Sequence, residues 1–187
     1  MILEDTRSPN PKIHSILARS VDIETTALGA GDYAWYGIEG EFVGVERKTW
    51  ADLLSSFKDG RLGGIGVMKD GVSPQDELVR LKNTYEHAVL LIEGMSFREG
   101  NKLVVSTDEG KWLSIQHQRG YRKISFWRST WNAMIYQALW DYTRYLGIEV
   151  VFAGNPEASA HVLLSGYKSD QTQTHGLHRH TNRWQAP

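Results

Sequence analysis

Apolar and polar residues follow two different periods in the first thirty residues of the chain. Residues 2–5 predict a short strand that ends in an acid. Ser8-Pro9-Asn10-Pro11 predicts the start of a helix, because Ile13, Ile16 and Leu17 recur three or four positions apart and proline is tolerated in a first helical turn. Residues 21–28 alternate as a second strand does. The order of strand, helix and strand predicts an α/β domain.

A β-hairpin is predicted next. Residues 32–37 are rich in aromatic side chains, and residues 42–48 alternate, with Ile38-Glu39-Gly40 between the two stretches. Because successive side chains of a strand point to opposite faces, Glu46 and Lys48 share one face. An acid and an amine therefore point in the same direction.

The length of the hairpin loop determines which charged residues meet. With a three-residue loop ending in Gly40, the pairing places Asp32 opposite Glu46, with Cβ atoms about 4.5–5.5 Å apart. Two carboxylates at that distance can hold one divalent cation. A two-residue turn would instead pair Asp32 with Arg47 as a surface ion pair. We favour the three-residue loop, since it leaves a metal between acids with a lysine beside it, which suits phosphodiester hydrolysis.

The rest of the chain continues to mix helical and strand patterns. One apolar run is continuous, which is typical of a central strand buried on both faces. The predicted elements are a helix over 50–57 capped by Thr49, a helix after Asp76, a buried strand over 89–94, a hairpin over 102–116, a long helix over 131–146, a strand over 148–152 and a last helix opened by Asn155.

Composition adds a few limits. The chain has 187 residues, 41% of them hydrophobic and 23% charged, which suits one globular domain over 1–168. Residues 169–187 are polar and without apolar periodicity, so a disordered tail is predicted there. The chain has no cysteine, no apolar run near membrane-spanning length and no signal-peptide pattern at its start, which favours a cytoplasmic, nucleoid or nuclear protein. A net charge of −1 means that any DNA contact must come from a local patch.

Four motifs carry a resemblance to a known family. They are Gly31-Asp32, Glu46-Arg47-Lys48, Asp52 and Gly60-Arg61-Leu62. Their order and spacing resemble those of the XPF-type structure-specific nucleases, a branch of the restriction-endonuclease-like fold. The resemblance extends over residues 1–62 and 73–168.

The resemblance implies a mixed central β-sheet flanked by helices, with a β-hairpin inserted around 102–116. It also implies an endonuclease that depends on Mg²⁺ or Mn²⁺ and acts on branched, flap or junction DNA. It assigns catalytic roles to Asp32, Glu46, Lys48, Asp5, Arg47 and Asp52, and metal binding to Asp32 and Glu46.

Two of these assignments have structural alternatives. Asp5 belongs to a D-x-R motif at the end of the first strand, but Ser8 stands where the family usually has Glu. The alternative for Asp5 is a turn or capping acid. Asp52 lies in the first turn of a predicted helix, where the helix dipole alone favours an acid.

Nucleic-acid contacts are expected from basic residues outside the acidic pair. Basic and aromatic residues interleave between 119 and 128, which suits phosphate contact and base stacking, although a solvated edge strand would have the same composition. The residues predicted to meet DNA are Arg7, Arg61, Arg119, Arg122, Lys123 and Arg128. By resemblance, 129–168 contributes a dimer interface, homodimeric or heterodimeric.

Two other functions remain open. A non-catalytic DNA-binding partner subunit is one, since XPF-like families include such chains, but these generally lose the acids and the ERK triplet that this chain retains. A restriction-type nuclease that reads base sequence is the other.

Overall fold

A computed structural model describes residues 1–58, 61–62, 76–99, 102–106, 112–115 and 131–172. The strands are β1 (Ile2–Asp5), β2 (Ile23–Thr26), β3 (Tyr33–Tyr36), β4 (Phe42–Thr49), β5 (His87–Glu93), β6 (Ser96–Glu99), β7 (Lys102–Ser106), β8 (Trp112–Ile115) and β9 (Ile148–Ala153). The helices are α1 (Pro11–Leu17), α2 (Trp50–Lys58), α3 (Glu77–Thr84), α4 (Trp131–Asp141) and α5 (Pro156–Asp170), and a π-helical turn over Tyr142–Leu146 continues α4.

Six strands form one mixed sheet in the order β2-β1-β3-β4-β5-β9. The strands β4, β5 and β9 run parallel, whereas β3 is antiparallel to both of its neighbours. A second sheet of three antiparallel strands contains the predicted hairpin as β7 and β8. The mixed central sheet with flanking helices confirms the predicted fold class.

The sheet separates two hydrophobic clusters. Helices α2, α3 and α4 cover one face, and α1 and α5 cover the other. The central strand β5 contributes to both clusters, since Leu90 and Ile92 pack on one side and Leu91 on the other, all fully buried. This confirms the prediction that residues 89–94 form a strand buried on both faces.

The β3–β4 hairpin has the three-residue loop that the sequence favoured. Tyr33 pairs with Val45, and the amide of Gly37 donates to the carbonyl of Glu41 over 2.9 Å. Gly40 has a φ of +90°, a conformation that glycine adopts without steric cost. The two-residue turn is therefore wrong.

Some boundaries differ from the prediction. Strand β2 is shorter than 21–28, because only residues 23–26 pair with β1. Strand β6 was not predicted. The long helix ends in a π-helical turn rather than regular α-helix, and Gly147 stops it in the left-handed conformation. Helix α5 continues to Asp170, two residues beyond the predicted domain end at 168.

Several predictions lie outside the described residues. They concern Gly60 of the Gly60-Arg61-Leu62 motif, the basic and aromatic stretch over 119–128, and residues 173–187 of the tail. No helix in the described part of the chain is long and apolar enough to cross a membrane.

Candidate active site

Asp32 and Glu46 lie near each other, just beyond the paired part of the β3–β4 hairpin. The register ends at the pair of Tyr33 with Val45, so Asp32 directly precedes that pair and Glu46 directly follows it, and the charge of Asp32 acts on Glu46. The Asp32 amide donates to the Val45 carbonyl over 2.8 Å. The Asp32 carboxylate in turn accepts the Arg47 amide at Oδ2 over 2.7 Å. Backbone pairing on one side and this hydrogen bond on the other fix Asp32 beside β4.

Lys48 lies between two carboxylates. Its Nζ is 2.8 Å from Glu46 Oε1 and 2.7 Å from Glu77 Oε2. The exposed fractions of the three side chains are 13%, 12% and 16%, so the cluster is mostly shielded from water. Ion pairs in such a place are much less screened by salt than surface pairs.

Burial and like charge change the protonation of the two acids. Burial raises the pKa of Asp32, although the Arg47 amide and the Lys48 charge oppose that shift. Burial, and then the charge of Asp32, raise the pKa of Glu46 to about 7. Lys48 keeps a raised pKa because Glu46 and Glu77 outweigh its own burial. Two acids that repel each other while an ammonium group stays charged beside them form a site that favours a further cation.

Arg47 points to the opposite face of β4. Its guanidinium donates from Nε to Glu93 Oε2 over 2.8 Å and from Nη2 to Oε1 over 2.6 Å. The Ser159 hydroxyl donates to the same Glu93 carboxylate over 2.6 Å. The Arg47 side chain therefore pairs with Glu93 on the face opposite Glu46 and Lys48, while its backbone amide donates to Asp32.

Asp5 forms an ion pair with Arg7 at the edge of the site. Asp5 Oδ2 accepts Arg7 Nε over 2.8 Å, and Asp5 Oδ1 accepts the Leu28 amide over 3.1 Å. Arg7 also donates to the Leu28 carbonyl over 2.6 Å, yet 59% of its side chain stays exposed. Asp5 raises the pKa of Arg7 most, and Asp32 and Glu46 add to that effect. An anchored cation therefore borders the acids.

Ser8 also reaches the site. Its hydroxyl hydrogen-bonds the Asp32 carboxylate, which works against the larger effect of burial on the pKa of Asp32. The position where the resemblance leads one to expect Glu thus supplies a neutral partner to Asp32.

Thr49 caps α2. Its hydroxyl accepts the Asp52 amide over 3.2 Å and donates to the Asp52 carboxylate over 3.1 Å. Neither bond involves Glu46 or Lys48. This is the capping arrangement left open by the sequence, and the catalytic role of Asp52 stays a prediction.

Of the other predicted DNA-binding residues, Arg61 is described and lies near the site. Its Nη1 is 3.3 Å from Glu77 Oε1, and 49% of the side chain is exposed. Arg119, Arg122, Lys123 and Arg128 lie outside the described residues.

The carboxylates of Asp32 and Glu46 are the available ligands for a divalent metal. Within the described residues, no group of three or more His, Cys, Asp or Glu side chains is arranged to hold an ion. Asp32 and Glu46 supply two hard carboxylate donors, and Mg²⁺ commonly uses one or two carboxylates and keeps several waters. The pair therefore fits Mg²⁺ or Mn²⁺ and does not form a complete protein cage.

Glu77 was missed by the sequence reasoning. Its one signal is an acid in the first turn of a predicted helix, which is common for capping reasons alone. The contact to Lys48 depends on how α3 packs against β4, and no local pattern in the sequence carries that information.

Comparisons with known proteins find one family and two solved structures that are similar to this chain. The model of the ERCC4 domain matches residues 5–165, most of the chain. Two solved structures of XPF from Aeropyrum pernix are similar in fold, both with a TM-score of 0.56. One of them is 23% identical to this chain, and the match covers 88% of this chain and 61% of the XPF chain. The other, a complex with DNA, is 22% identical to this chain, and the match covers 89% of this chain and 62% of the XPF chain.

The chain thus spans about three fifths of the length of those XPF structures. Among curated proteins, no sequence matches this chain.

Proposed function

Since the chain belongs to the ERCC4 domain family, we propose that it is a divalent-metal-dependent DNA endonuclease that hydrolyses phosphodiester bonds in branched, flap or junction DNA. The observation that supports this most is that Asp32 and Glu46 lie close enough at the end of the β3–β4 hairpin for their charges to interact, with the Lys48 ammonium 2.8 Å from the Glu46 carboxylate. The likeness to a DNA complex of XPF supports DNA as the substrate.

Asp32 and Glu46 would hold Mg²⁺ or Mn²⁺, with the Arg47 carbonyl as a further donor. A bound metal of this kind polarises the phosphoryl oxygen and makes a bound water more acidic. Lys48 stays protonated, because both of its acidic neighbours favour the ammonium form. It would orient the attacking water or offset charge that develops on the phosphate.

Two exposed arginines border the acids and would meet the DNA backbone. Arg7 is anchored by Asp5, and Arg61 contacts Glu77, so each guanidinium is oriented without being covered. A cation held in place loses less conformational entropy when it binds a phosphate than an unrestrained side chain does. The predicted basic stretch over 119–128 would extend this contact along the DNA.

Self-association through 129–168 is part of the same proposal. Four aromatic side chains in the described part of this region, Tyr136, Trp140, Tyr145 and Phe152, are between 48% and 75% exposed. Large exposed aromatic side chains are typical of protein interfaces. Homodimer and heterodimer both fit, and sedimentation of the purified chain would separate the homodimer from a monomer.

The test is a cleavage panel. Labelled flap, fork, single-strand and linear duplex DNA are incubated with the wild-type chain in Mg²⁺, in Mn²⁺ and in chelator. We expect metal-dependent cleavage with preference for the branched DNAs. Asp32→Asn and Glu46→Gln should each abolish cleavage, and Lys48→Met should slow it by about 10²–10³-fold. Glu149→Gln, a change at an exposed acid on β9, should leave cleavage intact.

Full activity in any of the three site variants would contradict the proposal. Strong binding to DNA without cleavage in either metal would favour the non-catalytic partner subunit. Cleavage of linear duplex at one base sequence would favour the restriction-type enzyme.

A further inference from the structure

We propose that Glu77 is a positioning residue that retains the Lys48 ammonium when a divalent cation takes over the Glu46 carboxylate. This inference rests on the proposed nuclease function. It adds to the site a residue that belongs neither to the acidic pair nor to the ERK triplet.

The first support is the shared ion pair. Lys48 is almost equally close to Glu46 and Glu77, at 2.8 and 2.7 Å. A divalent cation on Asp32 and Glu46 would compete with Lys48 for Glu46, because the two positive charges repel each other. A mostly buried ammonium that loses its only acidic partner is strongly destabilised. Glu77 removes that difficulty by offering Lys48 a second partner.

The second support is that Glu77 belongs to a different element from the acidic pair. It begins α3, whereas Asp32 and Glu46 lie on the hairpin. In the described part of the chain, no three acids are placed to share one ion. Glu77 is therefore suited to binding the lysine rather than the metal.

The third support is the link to Arg61. Glu77 Oε1 is 3.3 Å from the Arg61 guanidinium, and the Glu77 amide donates to the Arg61 carbonyl over 2.9 Å. One carboxylate thus contacts a shielded lysine at one oxygen and a half-exposed arginine at the other. Glu77 would fix the distance between the group that assists the reaction and a group that meets the phosphate.

The test measures Mn²⁺ binding to the full chain by titration calorimetry, without DNA. Four proteins form a double-mutant cycle: wild type, Glu77→Gln, Lys48→Met and the double variant. We expect Glu77→Gln to weaken Mn²⁺ binding about fivefold when Lys48 is present and less than about twofold in the Lys48→Met background. Glu149→Gln serves as the exposed control and should bind as the wild type does.

Equal shifts in both backgrounds would overturn the inference, because they would reflect only the lost charge. So would an unchanged affinity in Glu77→Gln. Cleavage by the wild type separates the two proposals: cleavage with equal shifts removes only the role of Glu77, whereas a wild type that neither binds Mn²⁺ nor cleaves DNA removes both.

Single-turnover cleavage provides a second measurement. Glu77→Gln should lower kcat about tenfold with little change in KM for DNA, since Lys48 acts on the reacting phosphate rather than on binding. Glu77→Asp keeps the charge on a shorter side chain and should recover part of kcat. No recovery, together with a changed KM alone, would show that Glu77 supports DNA binding and not Lys48. Circular dichroism checks that each variant is folded.

Discussion

The two faces of strand β4 use charged residues in opposite ways. On one face, Arg47 makes a two-bond pair with Glu93, and Ser159 donates to the same carboxylate. On the other face, Glu46 and Lys48 form a single contact, and Glu46 lies near a second acid. All four charged side chains are at least 85% buried, so burial alone does not distinguish the faces.

The difference lies in how completely the charges are neutralised. Arg47 and Glu93 balance each other, with hydrogen bonds to both carboxylate oxygens. Asp32, Glu46 and Glu77 outnumber Lys48, and the pKa of Glu46 is about 7 as a result of burial and of Asp32. A balanced buried pair holds the fold together, whereas an unbalanced one attracts a cation.

Lys48→Met should have the largest effect on cleavage, and it changes only the face of β4 that carries Glu46 and Lys48. Losing the ammonium should lower the rate of metal-dependent cleavage by about 10²–10³-fold, since the group stabilises charge in the transition state. Single-turnover cleavage in saturating Mg²⁺ measures it. A fall of less than tenfold would mean that the unbalanced face does not carry the reaction.

Arg47→Met should act mainly on stability. Removing one partner of a buried pair leaves Glu93 uncompensated, so the free energy of unfolding should fall by about 3–5 kcal/mol. Urea denaturation measures the change, with Arg144→Met as the exposed control, expected within about 0.5 kcal/mol of wild type. Adding Glu93→Gln should restore part of the loss. An Arg47→Met variant that is as stable as wild type but inactive would show that the Arg47 face of β4 serves the reaction rather than stability.

The free energy of unfolding of the metal-free protein should depend on pH through Glu46, on the face of β4 where the charges are not balanced. Folding raises the pKa of Glu46 to about 7, so the folded state holds a proton that the unfolded state has released. The free energy of unfolding should therefore fall as pH rises from about 4.5 to about 7 and then level off. Thermal unfolding in chelator measures this.

In Glu46→Gln this part of the pH dependence should disappear. Added Mg²⁺ should stabilise the wild type more at pH about 8 than at pH about 5, because the acids are then ionised. A wild type whose stability rises over that range would contradict the assigned pKa of Glu46.

Asp52→Ala should have the smallest effect. The variant loses the bond from the Thr49 hydroxyl to the carboxylate but keeps the bond from its own amide to that hydroxyl, so it should cost less than about 1 kcal/mol of stability. Cleavage at low temperature should stay within about twofold of wild type, since the cap lies outside the Lys48 ion pairs. Thr49→Val removes both bonds and should cost about 1 kcal/mol. A tenfold slower Asp52→Ala would instead support the catalytic role predicted from the motif.

The hairpin shows why part of the site could be predicted. The loop of three residues and the alternation along β4 determine the register of the hairpin, and the choice between a two-residue and a three-residue loop came from the chemistry that each would bring together. Likewise, Asn155 and the apolar spacing after it predicted α5, which the side chain of Asn155 does cap.

The rest depends on packing between distant elements. Glu77 meets Lys48 because α3 lies against β4, and Arg47 meets Glu93 because β5 pairs with β4 in one particular register. The alternation of side chains along a strand shows that Arg47 and Lys48 point to opposite faces. It does not show which partner each side chain contacts. The π-helical turn after α4 was likewise hidden, since its apolar spacing resembles that of a regular helix.

The loop at Gly40 has a consequence for how the chain tolerates length changes. If Ile38 is deleted and the hairpin keeps a three-residue loop by taking in Glu41, β3 slides one position along β4 and Asp32 comes against Arg47. Such a deletion leaves every acid and base of the chain in place, yet it dismantles the acidic pair. The number of residues in a turn several positions away thus matters to this chemistry as much as the identity of the charged side chains.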